Sequence, residues 1–477
     1  MACPTMKFYI ILCLNSVQCA TNILDINDGQ IVGNVEYFGE KRVEEYLGIP
    51  YAMPPTGNRR FMSPEPPAKW GSSTIDTLER KPLCAQSREW EGFTSSEDCL
   101  FLDVYTPSNK LTNDKKAVMV WIHGGYFGVD WHPAWYNGRA LASTGDVIVV
   151  IVNYRLGALG FLSTDDDVIP GNMAMFDQVL SFQWIQDNIH HFGGDPNRVM
   201  IFGQSAGAVM VKFHSISPLS GEGENRLFHN VLVESGQQMA YNSDPVETAH
   251  DFARNVGCLR EFQQSHDQFL SCIQGAPLDD IIAASDREPI PAFSWTPVID
   301  RKFLMEKPTT DYLATPGLID RFNLMQGCNS GEVAMLASAI RTKDNFERIM
   351  KPLLRALIPI DVENPDFWYD LESFYLPSGD PSTTVQDEWR EAYISLGMDT
   401  AYSVFLFEYA VAAQSVGANM FAYNFMYPPS EELTETPRVE GDWNAPWHGD
   451  DLMFVFGWPI LQDKGLLINK TFLFIAL

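Results

Sequence analysis

The sequence predicts an α/β protein: a central, mostly parallel sheet flanked by helices, with long insertions over the sheet's C-terminal edge. Three observations carry this. Short apolar, β-branched runs recur at residues 117–122, 147–152, 199–202, 231–233 and 420–425. None alternates with polar residues, as expected of strands covered on both faces. Helical patterns lie between them, clearest over residues 177–190, where Val179, Phe182, Ile185 and Ile189 recur at helical spacing. Strands alternating with helices make a doubly wound sheet. Finally, no composition break marks a linker within the 477 residues, so the reading is one domain from about residue 21 to the end. Pro- and Gly-containing stretches such as residues 275–297 are read as insertions.

The first twenty residues read as a secretory signal. Lys7 supplies the positive charge, residues 8–14 the apolar stretch, and Val17 with Cys19 the small residues before a cut near Cys19 or Ala20. The apolar run is too short to span a bilayer. The expected location is therefore secreted, or the lumen of the secretory pathway. Removing the leader leaves Cys84, Cys99, Cys258, Cys272 and Cys328. In an oxidising compartment pairing is plausible, and the simplest arrangement closes two short local loops, Cys84 with Cys99 and Cys258 with Cys272. Cys328 is left over and is read as a small buried apolar residue.

Composition narrows the partners. Apolar residues are 45% and charged residues 20% of the chain, ordinary globular values. A net charge of −28 argues against nucleic acid, because no basic stripe is available to displace counterions.

The chemistry begins at Gly203-Gln204-Ser205-Ala206-Gly207, directly after the run 199–202. A strand that turns sharply into a helix holds a serine in a strained conformation above the sheet, and flanking glycines leave room for the neighbouring backbone. The apolar strand before the turn and Ala206, Ala208, Val209 and Met210 after it supply that context. A serine hydroxyl attacks only when a base takes its proton, and the oxyanion so formed needs preorganised donors. His123-Gly124-Gly125-Tyr126-Phe127 follows the run 117–122 and is the candidate donor turn. Gly125 and Tyr126 are the expected oxyanion amides, with Ala206 as a third. Of nine histidines, His448 in Trp447-His448-Gly449-Asp450-Asp451 lies far downstream beside a glycine, but composition alone does not select it over His190, His191 or His229.

The chain resembles the type B carboxylesterase/cholinesterase family of the α/β-hydrolase fold from about Gly29 to Gly457. The resemblance rests on Tyr46-Leu47-Gly48-Ile49-Pro50-Tyr51-Ala52, Glu97-Asp98-Cys99-Leu100-Phe101-Leu102-Asp103-Val104-Tyr105, Asn153-Tyr154-Arg155-Leu156-Gly157 and Phe192-Gly193-Gly194-Asp195-Pro196, in family order around the serine. It implies the acid in a Gly-x-Asn-x-x-Glu pattern, here Gly327-Cys328-Asn329-Ser330-Gly331-Glu332 after a strand over residues 322–326. The base falls in His448-Gly449-Asp450-Asp451-Leu452. Ser205, Glu332 and His448 then follow the chain order this fold uses. The family's disulfides imply Cys84–Cys99 and Cys258–Cys272. The implied activity is hydrolysis of small to medium carboxylic esters through an acyl-enzyme, with no metal or organic cofactor.

Three departures qualify the match. Tyr126 stands where the family's oxyanion loop has a third glycine, Gln204 stands where many relatives have glutamate, and residues 466–477 form an unfamiliar ending, read as a truncation. That ending holds the one Asn-x-Ser/Thr site, at Asn469. Similarity also places the acyl pocket at Pro291 and Phe293, with Pro291 widening it beyond what acetyl needs. Trp90 is at the position of a choline-binding tryptophan, though a packing role is the plainer reading. The competing function is that of esterase-like adhesion proteins such as neuroligins, which share the fold and lack a working triad.

Overall fold

The computed structural model describes residues 20–38, 40–107, 115–236, 239–287, 294–340, 342–357, 361–376, 386–429 and 445–457. Thirteen strands are described. They are β1 (Ala20–Ile26), β2 (Gly29–Phe38), β3 (Lys41–Pro50), β4 (Gly71–Asp76), β5 (Leu83–Cys84), β6 (Ser95–Ser96) and β7 (Phe101–Pro107). After these come β8 (Lys116–Ile122), β9 (Ile148–Val152), β10 (Gly194–Gln204), β11 (Asn230–Glu234), β12 (Asn323–Asn329) and β13 (Met420–Phe425). Eleven form one sheet in the order β1-β2-β3-β7-β9-β8-β10-β11-β12-β13, with β4 beside β2; β5 and β6 pair separately. From β9 to β13 every pairing is parallel. The β1-β2-β3-β7-β9 half is antiparallel. The apolar-run criterion found the parallel half and missed the antiparallel one. Strands such as β2, whose burial alternates, carry too many polar residues to stand out as runs.

The inner parallel strands are covered on both faces. Val118, Val120 and Ile122 of β8 enter one apolar cluster with Val150, Val152, Ile201, Val231 and Val233, beneath the helices Met173–Asn188 and Ala206–Ile216. Met119 and Trp121 enter the opposite cluster with Val149, Ile151, Phe202, Leu232 and the helix Leu452–Val455. Successive side chains of a strand point to opposite faces, so these all-apolar strands feed two cores at once. A third cluster, of Phe346, Met350, Leu354, Trp368, Trp389 and Tyr393, is built by the helices Lys343–Leu357, Pro365–Tyr375 and Gln386–Met398 inserted between β12 and β13. It also takes in Trp447, and so anchors the segment that carries His448.

The expectation of two-sided cover fails at β13. Among the described residues it is an edge strand, with Phe421 at 63% exposure, and Ala422 and Asn424 are exposed as well. Beside it Met426 is 69% and Phe407 of the helix Val404–Ser415 is 70% exposed. A strand paired on one side only has lost half of the packing that buries its inner neighbours. Within residues 275–297, the described part contains the helix Leu278–Ser285, with Trp295 and Thr296 buried. Among the described residues, no helix is long and apolar enough to cross a membrane.

Candidate active site

The site lies at the carboxyl ends of β8, β10 and β12, where open parallel sheets place their ligands. Strand β10 ends at Gln204, the helix Ala206–Ile216 begins one residue after Ser205, and Ser205 has φ 59° and ψ −125°. A non-glycine residue held there stores roughly 1–3 kcal/mol of backbone strain. The surrounding structure enforces it: Ser205 N–H donates to the Glu234 carbonyl at 3.0 Å, and Val209 N–H donates back to the Ser205 carbonyl at 3.0 Å. Both flanking glycines are sterically required. A Cβ at Gly207 would lie 2.1 Å from the Ile122 carbonyl oxygen, and one at Gly203 would lie 2.7 Å from the same atom.

The turn after β8 packs directly on this serine, since a Cβ at Gly124 would sit 3.0 Å from Ser205 Cβ. Gly125 (φ 128°), Tyr126 (φ 56°) and Phe127 (φ 62°) all have positive φ. The turn closes where Gly128 and Val129 N–H donate to the Gly125 carbonyl at 3.1 and 3.0 Å. Phe127 is buried edge-on against Phe161, and its carbonyl accepts from Gly157 N–H at 2.8 Å. His123, stacked 4.3 Å from Tyr154, braces the base of the turn from within the core. Tyr126 alone of these rings is outside, at 46% exposure.

His448 and Glu332 meet. The His448 Nδ1 lies 2.6 Å from Glu332 Oε2, and the carboxylate is buried. The other carboxylate oxygen, Oε1, accepts from Asn329 N–H at 2.6 Å and from the Ser235 hydroxyl. The Asn329 amide in turn donates to the Trp447 carbonyl at 2.6 Å and to Asp451 Oδ1 at 3.1 Å, tying the end of β12 to the histidine segment. The Tyr402 hydroxyl lies 3.2 Å from His448 Nδ1. With Nδ1–H given to the carboxylate, Nε2 keeps its lone pair. That nitrogen is 3.2 Å from the Gln204 side-chain amide nitrogen, which donates to it. Among the described residues no hydrogen bond joins His448 to Ser205 Oγ; the elbow residue before the serine satisfies the ring instead. Catalytic hydrogen bonds of this kind commonly close only when substrate binds.

Charge is distributed unevenly here. Burial works against a charged His448, but Glu332, with Asp451 and Asp450 behind it, outweighs that and holds the imidazole above its ordinary pKa. Asp451 is pushed up to about 7, by burial first and then by Glu332. Glu234, buried at the end of β11, is raised well above the usual carboxylate range by burial and by Asp451. Cys328 is buried and unpaired, and its thiol is pushed up to about 12, chiefly by burial. It is the inert small residue the sequence reading describes.

Both disulfides are present, Cys84–Cys99 and Cys258–Cys272. Pro291 and Phe293 lie outside the described residues. Trp90 does not present an open ring face. Its Nε1 donates to the Asp130 carbonyl at 2.8 Å, Arg88 lies over the ring at 3.9 Å, and His132 lies 5.0 Å away. Ser235, Asn329 as a bridge, and Tyr402 were not found by sequence reasoning. Asn329 is inside the Gly-x-Asn-x-x-Glu pattern and could have been singled out there. Ser235 and Tyr402 carry no local signal, because they reach the site only through the order of strands.

Comparison with known proteins identifies the family. The carboxylesterase family model matches residues 20–471, so the likeness begins before Gly29 and continues past Gly457 into the ending that had looked unfamiliar. Pyrethroid hydrolase Ces2e of Rattus norvegicus is 31% identical over 92% of this chain and 77% of its own length. Cocaine esterase of Homo sapiens is 31% identical over 92% and 78%, and acetylcholinesterase-1 of Trittame loki 32% identical over 88% and 78%. With a serine at the strand–helix turn of a mostly parallel sheet and this match along nearly its whole length, the chain belongs to the carboxylesterase family, the type B carboxylesterases and cholinesterases of the α/β-hydrolase fold, and is a serine carboxylesterase.

Proposed function

We propose that ester hydrolysis proceeds through an acyl-enzyme on Ser205, with His448 as its base and Glu332 as the residue that orients the imidazole. The observation that carries this reading is the bond from His448 Nδ1 to the buried Glu332 carboxylate, made beside a serine held at positive φ. His448 Nε2 takes the Ser205 proton as Oγ attacks the ester carbonyl, and returns it to the leaving alcohol. Water, activated by the same nitrogen, then releases the acid. The amides of Gly125, Tyr126 and Ala206 receive the oxyanion, from a turn and a helix start that are packed together across Ser205. Attack needs the Gln204 amide to yield Nε2 to the serine. Ser205→Ala should therefore lower kcat/KM by about 10⁴-fold or more in a protein with an unchanged melting temperature. Wild-type rates in that variant would remove Ser205 from the mechanism, and labelling by an organophosphate at Ser205 is the complementary test.

The substrates are small to medium carboxylic esters, with Pro291 and Phe293 shaping the acyl side. Proline in place of an aromatic leaves room beyond an acetyl group, and a fitting methylene contributes roughly 1–3 kcal/mol. Butyryl esters should thus be cleaved at least as well as acetyl esters; a strong acetyl preference on matched p-nitrophenyl esters would mean that another side chain closes the pocket. We place the mature domain at residues 21–477, behind a leader at 1–20, in a secretory or extracellular setting that suits its two described disulfides.

A further inference from the structure

Arg88 lies within the Cys84–Cys99 loop between two indoles, its guanidinium carbon 3.9 Å from the Trp90 ring centroid and 4.2 Å from that of Trp131. Trp131 meets Tyr126 edge-on at 5.7 Å, and Tyr126 is the exposed residue of the turn packed on Ser205. The cation thus belongs to an aromatic wall that begins at the oxyanion turn. The wall is rigid. Trp90 is pinned to the Asp130 carbonyl, and His132 stacks on Trp135 at 3.7 Å with the rings 1° from parallel. His132 is held neutral, its pKa lowered to about 4 by burial and then by the Arg88 charge, so it adds no second cation.

The guanidinium lies over both indole rings, and among the described residues no carboxylate or carbonyl accepts a hydrogen bond from it. Its neighbours Glu89 and Glu91 are exposed and neither pairs with it. A planar guanidinium held against two indoles with its N–H donors unspent is preorganised for a carboxylate. Partial burial disfavours its charge, which an incoming anion relieves. The same cation, lying over both the Trp90 and the Trp131 ring, disfavours a substrate ammonium beside them by like charge.

We infer that Arg88 is a specificity residue of the Ser205 site, recognising a carboxylate carried by the ester substrate away from its scissile bond and turning away cationic esters. This rests on the esterase reading above. The test compares kcat/KM for three substrates: mono-p-nitrophenyl glutarate, neutral p-nitrophenyl valerate and butyrylthiocholine. Losing one charge-assisted contact should lower the glutarate-to-valerate ratio about tenfold or more in Arg88→Gln, mostly through KM. The thiocholine-to-valerate ratio should rise at the same time. Arg88→Lys, which keeps the charge but not the planar fork, should fall between and serves if Arg88→Gln does not fold. A purely structural role would alter all three esters alike, and unchanged or parallel ratios in the folded variants would overturn the proposal. Failure of the wild-type protein to cleave the valerate ester would instead count against the Ser205 mechanism itself.

Discussion

Two neighbouring parallel strands each deliver a buried glutamate beside the nucleophile, and the two carboxyls are treated in opposite ways. Glu332, three residues past the end of β12, has both oxygens engaged, one with Asn329 N–H and the Ser235 hydroxyl and the other with His448. Glu234, the last residue of β11, keeps Oε2 buried with no hydrogen-bond partner among the described residues. Its pKa is raised well above normal. Buried charge persists only where donors replace the lost water. What sets Glu332 apart beside an imidazolium is that both of its oxygens are supplied with donors. Asp451 falls between them, with Oδ1 bonded to Asn329, Oδ2 without a partner among the described residues and a pKa pushed up to about 7.

The strongest test of that contrast is to replace each glutamate by its isosteric amide. Glu332→Gln removes the charge that fixes the Nδ1–H tautomer and stabilises the ring once protonated. It should cost about 10³–10⁴-fold in kcat/KM on a p-nitrophenyl ester. A loss below tenfold would mean that a different carboxylate, Asp451 being nearest in kind, orients His448.

A smaller effect concerns pH. The base works as neutral imidazole, and Glu332 holds His448 above its ordinary value of about 6.5. Proton uptake therefore begins at higher pH than for an ordinary histidine, so the acid limb of the wild-type kcat/KM profile should have its midpoint above about 6.5. In Glu332→Gln the largest raising influence is gone while burial and the weaker pull of Asp451 and Asp450 remain, so the limb of the residual activity should move acidic. A limb that stays in place in the variant would assign it to some group other than His448. The same shift has a stability counterpart. His448 contributes stability that is complete below its unfolded pKa and is lost as pH rises through its raised folded value.

The contrast between the two glutamates also marks what was legible in the sequence. The strand–turn–helix around Ser205 is local, each glycine being demanded by atoms of the next strand, and the pattern and its physics coincide in five residues. Glu332 and His448 were reached through the family pattern, because their pairing depends on the end of β12 and the segment after β13 arriving at one place. Nothing local separates Glu234 from Glu332, since burial and donor supply are set by neighbours far apart in sequence. The contact of Gln204 with His448 was invisible for the same reason, although Gln204 itself had been noted. In the fold, all-apolar runs revealed the strands feeding two cores and overstated the cover of β13, where composition matches the inner strands but Phe421 is left in water.

The smallest expected change is at Glu234, and it separates packing from chemistry. If that carboxyl is held neutral by burial, Glu234→Gln exchanges one uncharged isostere for another, and kcat/KM should stay within about tenfold of wild type, as for a substitution outside the reacting atoms. Stability should respond in a particular direction. The folded state retains a proton that the unfolded chain releases near the ordinary carboxylate value, so between the two pKa values the native state binds more protons than the unfolded one. Wild-type stability then falls as pH rises through that window, with a limiting slope of about 1.4 kcal/mol per pH unit for one group. Glutamine cannot titrate, so the variant should match wild type near pH 4 and become progressively more stable than it toward pH 8. Asp451, whose own pKa is raised, keeps a similar slope in both proteins and cancels in the difference. Denaturant melts of the two proteins at a series of pH values measure this directly. A constant difference across pH would show that Glu234 is charged in the folded enzyme, and that the two glutamates are not treated differently after all.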